Sequence, residues 1–188
     1  MAKVIGIVGS PRHVGNTRYL VNETLEAIKK EGIDVELITL DDKIIAPCEA
    51  CGACSELHDC NIEDDFQGVY KKMVEADGII VGSPVYFGSA TPQVMALLVR
   101  AGYVGMKDRV FNRKVGAAIA VARRAGANFT FAQLNYFFFI NGMIVPGSTY
   151  WNVGYGLAPE DVKNDEEGIR TVRNLGANIA WLVKKLKD

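Results

Sequence analysis

The sequence has no long apolar run and no marked excess of either charge. No hydrophobic stretch among its 188 residues reaches the ~18 residues of a membrane-spanning segment, and lysine and arginine form no dense run. The 21 basic and 22 acidic residues leave a net charge of −1, which argues against nucleic acid or an anionic membrane as a partner. Because a basic leader followed by a cleavage site is also missing at the N-terminus, we expect a cytoplasmic protein.

Several common catalytic and nucleotide-binding motifs are missing as well. A P-loop would need G-x-x-x-x-G-K-[ST], but no lysine stands at that place, and Gly6 and Gly9 are spaced wrongly for the dinucleotide motif G-x-G-x-x-G. No Ser-His-Asp or paired-carboxylate arrangement stands out around the two histidines, His13 and His58. The sequence therefore disfavours hydrolytic chemistry.

Cysteine is absent outside residues 48–60, where four of them follow the spacing C-x2-C-x2-C-x5-C. They lie in a segment without periodicity, which indicates an insertion at about residues 43–62. A reducing cytoplasm makes a disulfide framework unlikely to form there, whereas such close spacing lets a short loop wrap one metal centre. The candidate ligands are Cys48, Cys51, Cys54 and Cys60.

Three interpretations of these cysteines stay open. The first three match the tight ligand run of bacterial ferredoxins, which favours a [4Fe-4S] cluster. Structural zinc is an alternative, although zinc sites usually use two separated C-x2-C pairs, and thiols without a metal are another. His58 lies among them and is either a metal ligand or, as we expect, a solvated loop histidine.

The rest of the chain alternates buried strands with amphipathic helices, which predicts a single α/β domain over residues 1–188. Strands are predicted at residues 4–8, 33–40, 78–82, 114–121 and 143–145, and the chain ends in a long amphipathic helix. Five parallel strands with covered crossovers predict a three-layer sandwich whose strand order is 2-1-3-4-5. In that order the loops after residues 8 and 82 face one crevice at the topological switch point.

The first of these loops, Gly9–Thr17, reads GSPRHVGNT and joins a strand to the start of a helix. The free N–H groups and the positive dipole end of such a helix favour an anion. The loop also contains uncharged hydrogen-bond donors, one planar cation and two glycines, and this combination suits a terminal monophosphate. The candidate phosphate residues are Ser10, Arg12, Gly15, Asn16 and Thr17. An ordinary turn with a polar cap is the alternative, but a cap would not explain Ser10 and Arg12.

The second loop reads SPVYFGS and supplies aromatic and glycine residues beside the predicted phosphate site. Together the two loops resemble the NADPH-dependent FMN reductase branch of the flavodoxin-like fold, and the similarity spans nearly the whole chain. The resemblance implies that FMN binds in the crevice and that the isoalloxazine ring is lined by Pro84, Val85, Tyr86, Phe87 and Gly88. It also implies that a third loop, Arg123–Gly126, reaches the pyrimidine end, where the guanidinium of Arg124 would stabilise the reduced ring.

The flavin loops and the cysteine spacing together resemble the iron-sulfur flavoprotein family. This resemblance implies FMN and a [4Fe-4S] cluster as cofactors, with electrons passing between one-electron donors and two-electron acceptors. It also implies a redox protein such as ferredoxin, or NAD(P)H, as the electron donor. An NAD(P)H-dependent FMN or quinone reductase without a cluster and a non-catalytic electron carrier are the alternative hypotheses.

A homodimer or homotetramer is expected on two grounds. The family resemblance implies an oligomer, and the five consecutive apolar residues from Tyr136 to Ile140 would cover every face of a helix. One side of that helix would then pack on another protomer. A helix buried within one large core is the alternative.

Overall fold

The computed structural model describes residues 2–187. Five strands form one parallel sheet in the order β2-β1-β3-β4-β5, which confirms the predicted topology. The strands are β1 (Lys3–Val8), β2 (Asp34–Thr39), β3 (Gly78–Pro84), β4 (Val115–Ala122) and β5 (Val153–Tyr155). The helices are α1 (Asn16–Lys30), α2 (Cys54–Leu57), α3 (Phe66–Glu75), α4 (Pro92–Met106), α5 (Ala127–Ile140) and α6 (Glu166–Lys187).

Helices cover both faces of the sheet because successive strand residues point to opposite faces. Ile5 and Ile7 face one apolar core, which they share with α3, α4 and α5. Val4 and Val8 face the other core, which is shared with α1 and α6. None of the helices described over residues 2–187 is both long enough and apolar enough to cross a membrane.

The fifth strand does not lie where the sequence predicted it. Residues 143–145 make only an isolated parallel bridge, in which Ile144 pairs with Val115. The chain leaves the sheet at Pro146, which has no N–H to continue the ladder. The strand β5 begins only at Val153, paired with Ala120. The edge strand therefore ends beside the carboxyl end of β4, where it adds a wall to the crevice.

The starts of α4 and α3 are capped in different ways. Thr91 caps α4, since its Oγ1 accepts from Val94 N at 3.5 Å. The same hydroxyl donates to Gly9 O at 2.7 Å, which ties the start of α4 to the loop after β1. For α3, Asp64 accepts from Phe66 N at 2.9 Å, whereas the carboxylate of Asp65 accepts from Ile44 N at 2.7 Å and does not cap the helix.

Candidate functional site

A cleft lies at the carboxyl ends of the strands, where the loops after β1, β3, β4 and β5 converge. Such a crevice at the switch point of an open parallel sheet is the usual ligand site of this architecture. Its lining residues are Ser10, Arg12, Asn16, Thr17, Pro84, Val85, Tyr86, Val121, Arg123, Gly156 and Leu157. The structure thus brings the first two predicted loops together.

The loop after β1 leaves the first turn of α1 open toward the cleft. Gly15 is the N-cap residue with an extended backbone, and no side chain caps the helix. The first-turn N–H groups therefore have no intrahelical acceptor and, with the helix dipole, favour an anion. The Oγ of Ser10 accepts from Arg12 N at 3.2 Å, and the buried Thr17 also lines the cleft. These groups suit a phosphate.

The side chain of Asn16 has a different set of contacts from the one the sequence suggested. Its Nδ2 donates to Ala158 O at 2.9 Å, and its Oδ1 accepts from Val162 N at 3.2 Å. Arg12 also reaches this segment, since its Nη1 donates to Leu157 O at 3.2 Å. The side chain of Asn16 therefore holds the loop after β5 in place, and its backbone N–H remains available at the helix N-terminus.

The loop after β3 contains a tight two-residue turn. Tyr86 N donates to Ser89 O at 2.8 Å, and Ser89 N donates to Tyr86 O at 3.0 Å. The two residues between them, Phe87 and Gly88, both have positive φ angles, of 52° and 83°. A positive φ is unfavourable for a bulky residue such as Phe87, whose side chain is fully exposed. This turn presents an apolar ring to solvent at the edge of the cleft.

The third loop packs directly on the second. Gly126 has a φ of 86°, and a Cβ there would lie 2.9 Å from Val85 Cγ1 and 3.2 Å from Gly88 Cα. A glycine therefore lets the loop after β4 approach the loop after β3 closely. Both arginines of this third loop are exposed, but of the two it is Arg123 that lines the cleft.

The four cysteines share a second cavity, of about 280 Å³. Its remaining walls come from the segment itself and from α4: Glu49, Ala50, Gly52, Asn61, Ile62, Arg100, Tyr103 and Val104. All four thiols are free. Among residues 2–187, no three His, Cys, Asp or Glu side chains converge closely enough to hold a single metal ion.

The backbone around these cysteines is strongly curved. Ala50 and Gly52 have positive φ angles of 55° and 75°, and Ala50 N donates to Cys48 Sγ at 3.4 Å. The thiol of Cys51 donates to Asn61 Oδ1 at 3.3 Å. The segment therefore directs a backbone N–H toward a cysteine sulfur.

The two histidines lie outside both sites. The Nδ1 of His58 lies 2.6 Å from Asp108 Oδ2, and His58 is not among the residues that line the cysteine cavity. The Nδ1 of His13 lies 2.7 Å from Asp41 Oδ2 at the surface. The geometry therefore supports the solvated-histidine interpretation of His58.

Sequence reasoning missed several residues that line the two sites. Gly156 and Leu157 could not be predicted, because the predicted fifth strand at residues 143–145 places a different loop at this edge of the sheet. Arg100 and Tyr103 in the cysteine cavity lie on α4, more than thirty residues from the cysteines. A signal for Arg100 was present, since it is the one charged residue within Pro92–Met106.

Known proteins resemble this chain in both sequence and fold. Residues 2–158 match the family model of NADPH-dependent FMN reductase. An iron-sulfur flavoprotein of Methanocaldococcus jannaschii is 47% identical over 192 residues, covering 98% of this chain and 99% of the relative. An iron-sulfur flavoprotein of Methanosarcina thermophila is 35% identical over 190 residues, covering 99% of both chains.

A solved structure agrees in fold. RosB, crystallised with 8-demethyl-8-formylriboflavin-5'-phosphate, superposes with a TM-score of 0.78 at 18% identity, covering 100% of this chain and 81% of that one. With the family match, the sheet and its switch-point cleft define a flavodoxin-like, FMN-dependent oxidoreductase. The chain belongs to the iron-sulfur flavoprotein family within the NADPH-dependent FMN reductases.

Proposed function

We propose that this protein transfers electrons between a [4Fe-4S] cluster held by its four cysteines and FMN bound in the switch-point cleft. The observation that carries the proposal is that Cys48, Cys51, Cys54 and Cys60 all line one cavity. When bound, the cluster exchanges single electrons, and FMN couples them to two-electron donors or acceptors. The insertion at residues 43–62 would then be the cluster-binding part of the domain.

The cleft fits FMN through the groups already described. The open first turn of α1, with Ser10 and Thr17, would hold the phosphate, and Arg12 would add a cation at its rim. Pro84, Val85 and Tyr86 would line the isoalloxazine, with Phe87 and Gly88 at its edge. Arg123, which lines the cleft, takes the place that the sequence had suggested for Arg124 and would lie near the pyrimidine end.

The cysteine cavity also fits its proposed cofactor. In a cubane each thiolate binds a different iron, so the four sulfur atoms surround a volume and need not converge on one point. Four thiols around one cavity are compatible with that requirement. The hydrogen bond from Ala50 N to Cys48 Sγ supports the proposal, because backbone donors to the ligand sulfurs are expected around a cluster.

The two sites lie toward opposite ends of α4. The flavin loop immediately precedes Pro92, whereas Tyr103 lines the cysteine cavity near the other end of the helix, roughly 16 Å along the axis at about 1.5 Å per residue. Tyr103 also lines an exposed apolar groove between α4 and α5. A second protomer seated on this groove would lie beside the cluster, so we infer a homodimer or homotetramer in which cluster and flavin of different protomers communicate.

The test is iron, acid-labile sulfide and FMN analysis of anaerobically prepared protein, with electron paramagnetic resonance after dithionite reduction. We expect about four irons and one FMN per chain, from the cluster and cofactor assigned above. Cys51→Ala should degrade the cluster and leave FMN bound, because the flavin loops lie on other segments. Ser55→Ala, in the same segment but bearing no thiol, is the matched control and should retain the cluster.

The alternative reductase without a cluster makes a different prediction. It would retain FMN, take up no iron and sulfide on reconstitution, and accept electrons directly from NAD(P)H. Comparing flavin reduction by NAD(P)H with reduction by reduced ferredoxin distinguishes the two donors. A flavoprotein that is intact but cannot assemble a cluster would refute the electron-transfer proposal and leave the plain reductase.

A further inference from the structure

Arg100 is the most deeply buried cation of the described chain and lies against the cysteine cavity. It sits in the middle of α4, is 1% exposed, and is among the residues that line the cavity together with all four cysteines. Its guanidinium stacks on Phe66, with Cζ 4.2 Å from the ring centroid. A charge in this position is costly unless it is paired and hydrogen bonded.

Most of the guanidinium is used to hold the ends of the cysteine segment. Nη1 donates to Ala46 O at 3.1 Å and to Asp64 Oδ2 at 2.6 Å. Nη2 donates to Ile62 O at 2.9 Å. Asp64 in turn accepts from Ala46 N at 2.8 Å. The Arg100–Asp64 pair therefore fixes the residues two positions before Cys48 and two positions after Cys60.

One donor of Arg100 has no partner. The Nε is buried and makes no hydrogen bond to any of the described residues. Cys60 lines the same cavity, but its sulfur does not accept from this Nε. An unsatisfied buried N–H is rare in proteins and points to a missing acceptor.

We propose that Arg100 is a positioning and tuning residue for the cluster: it anchors both ends of the cysteine segment, and its free Nε–H would donate to a sulfur of the bound cluster. This inference rests on the proposed function, because it requires the cluster. A buried cation and an N–H to sulfur hydrogen bond both favour the more negative, reduced state. Arg100 would therefore raise the reduction potential of the cluster.

Asp64 explains why a full buried charge can be tolerated there. Its carboxylate pairs with Nη1 at 2.6 Å and leaves Nε free, so the buried charge is compensated while one donor remains unused. Lys107, the residue that directly follows α4, provides a contrast. It reaches the same segment, donating from Nζ to Ser55 O at 3.0 Å, but it lies at the surface, where water screens its charge.

The experiment compares Arg100→Met, Arg100→Lys and Lys107→Met by redox titration of the cluster, followed by electron paramagnetic resonance. At a fixed ambient potential we expect Arg100→Met to lower the ratio of reduced to oxidised cluster about tenfold, about 59 mV for one electron. Arg100→Lys keeps the charge but lacks the Nε and should lower the ratio about threefold. Lys107→Met should change it less than twofold.

Iron and sulfide content is measured on every variant, which separates tuning from assembly. If Arg100→Met loses the cluster, the anchoring role is supported and Arg100→Lys decides the tuning. The assignment would be overturned if Arg100→Lys had the wild-type ratio of reduced to oxidised cluster. It would also be overturned if Lys107→Met changed that ratio as much as Arg100→Met does. If the wild-type protein assembles no cluster, the proposed function fails as well, whereas unchanged potentials in iron-loaded variants overturn this inference alone.

Discussion

The side chain of Asn16 is hydrogen bonded to Val162, which lies 146 residues further along the chain. Its second polar atom is bonded to Ala158 O, so both are used inside the protein. Because Gly156 and Leu157 form one wall of the switch-point cleft, this contact fixes that wall against the first turn of α1. Asn16 and its neighbour Thr17 should therefore support FMN binding in different ways.

Thr17→Val and Asn16→Ala separate direct contact from support. Thr17→Val removes one hydroxyl at nearly constant shape, and losing a hydrogen bond to a phosphate should weaken FMN binding by about 1.5–3 kcal/mol, roughly 10- to 150-fold in Kd, with little change in stability. Asn16→Ala should lower the free energy of unfolding by about 1–3 kcal/mol, since it strands Val162 N. Flavin fluorescence titration and urea unfolding measure the two effects. Equal loss of stability in both variants would contradict this division.

Arg123→Ala should destabilise reduced FMN, and Arg124→Ala should not. Arg123 lines the cleft and Arg124 does not, so the pair is a matched control in charge and chain position. A cation beside the ring favours the anionic reduced state, so its loss should lower the flavin potential. Spectroelectrochemical titration of both variants measures this shift. A larger shift in flavin potential for Arg124→Ala than for Arg123→Ala would instead assign the stabilisation of reduced FMN to Arg124.

Phe87→Asn should relieve backbone strain at the edge of the cleft. A bulky residue with positive φ costs on the order of 1–3 kcal/mol, and asparagine is favoured at this position of such a turn. Because the ring is fully exposed, little packing is lost. We expect the flavin-free protein to gain up to about 1 kcal/mol in urea unfolding and FMN affinity to fall severalfold. An unchanged affinity would remove Phe87 from the flavin site.

Asp64→Asn should lower the free energy of unfolding at neutral pH, and the loss should be smaller at acid pH. Burial would raise the pKa of Asp64, but hydrogen bonds from Arg100, Ala46 and Phe66 outweigh it and hold the pKa below its ordinary value of 3.8. The stabilisation is therefore present above about pH 4 and is lost as the pH falls through the lowered pKa. Removing one partner of a buried ion pair should cost about 3–5 kcal/mol at pH 7.

Urea unfolding of the wild type and Asp64→Asn across pH 3 to 7 tests this dependence. The difference in unfolding free energy should shrink toward acid pH. Glu36→Gln is the surface control, because its pKa is also lowered, by hydrogen bonds from Lys3 and Lys72, but the pairs are partly exposed. That variant should lose no more than about 1 kcal/mol. If the difference in unfolding free energy between the wild type and Asp64→Asn stayed constant with pH, the carboxylate charge of Asp64 would not be the source of the stabilisation.

Ile140→Lys should reduce the oligomer to a monomer. Ile140 lines the groove between α4 and α5 and is 78% exposed, so a second copy would bury it. Trp181→Lys on α6 is the control, because Trp181 is 62% exposed but lies away from the groove. Light scattering at micromolar concentration should give a multiple of the 20.5 kDa chain for the wild type and the control. A monomeric mass for the wild type would contradict the proposal of an oligomer.

The alternation of buried strands and amphipathic helices was sufficient to predict the sheet and its strand order, because both depend on local periodicity and on the handedness of crossovers. The position of the flavin loops followed from that order. The predicted position of the fifth strand was wrong for a related reason. Residues 143–145 have the composition of a strand, but whether an apolar segment pairs with the sheet depends on its register against β4. Pro146 ends that pairing after one bridge.

The sequence by itself determined the fold class, the position of the two loops at the switch point and the spacing of the four cysteines. Each of these depends on residues that lie close together in the chain. The tertiary structure alone decided which side chains meet there. Arg123 and Arg124 are adjacent in sequence, and only the path of the loop turns one of them into the cleft. Arg100 and Asp64 lie 36 residues apart, and their pairing beside the cysteines exists only because α4 packs against that segment.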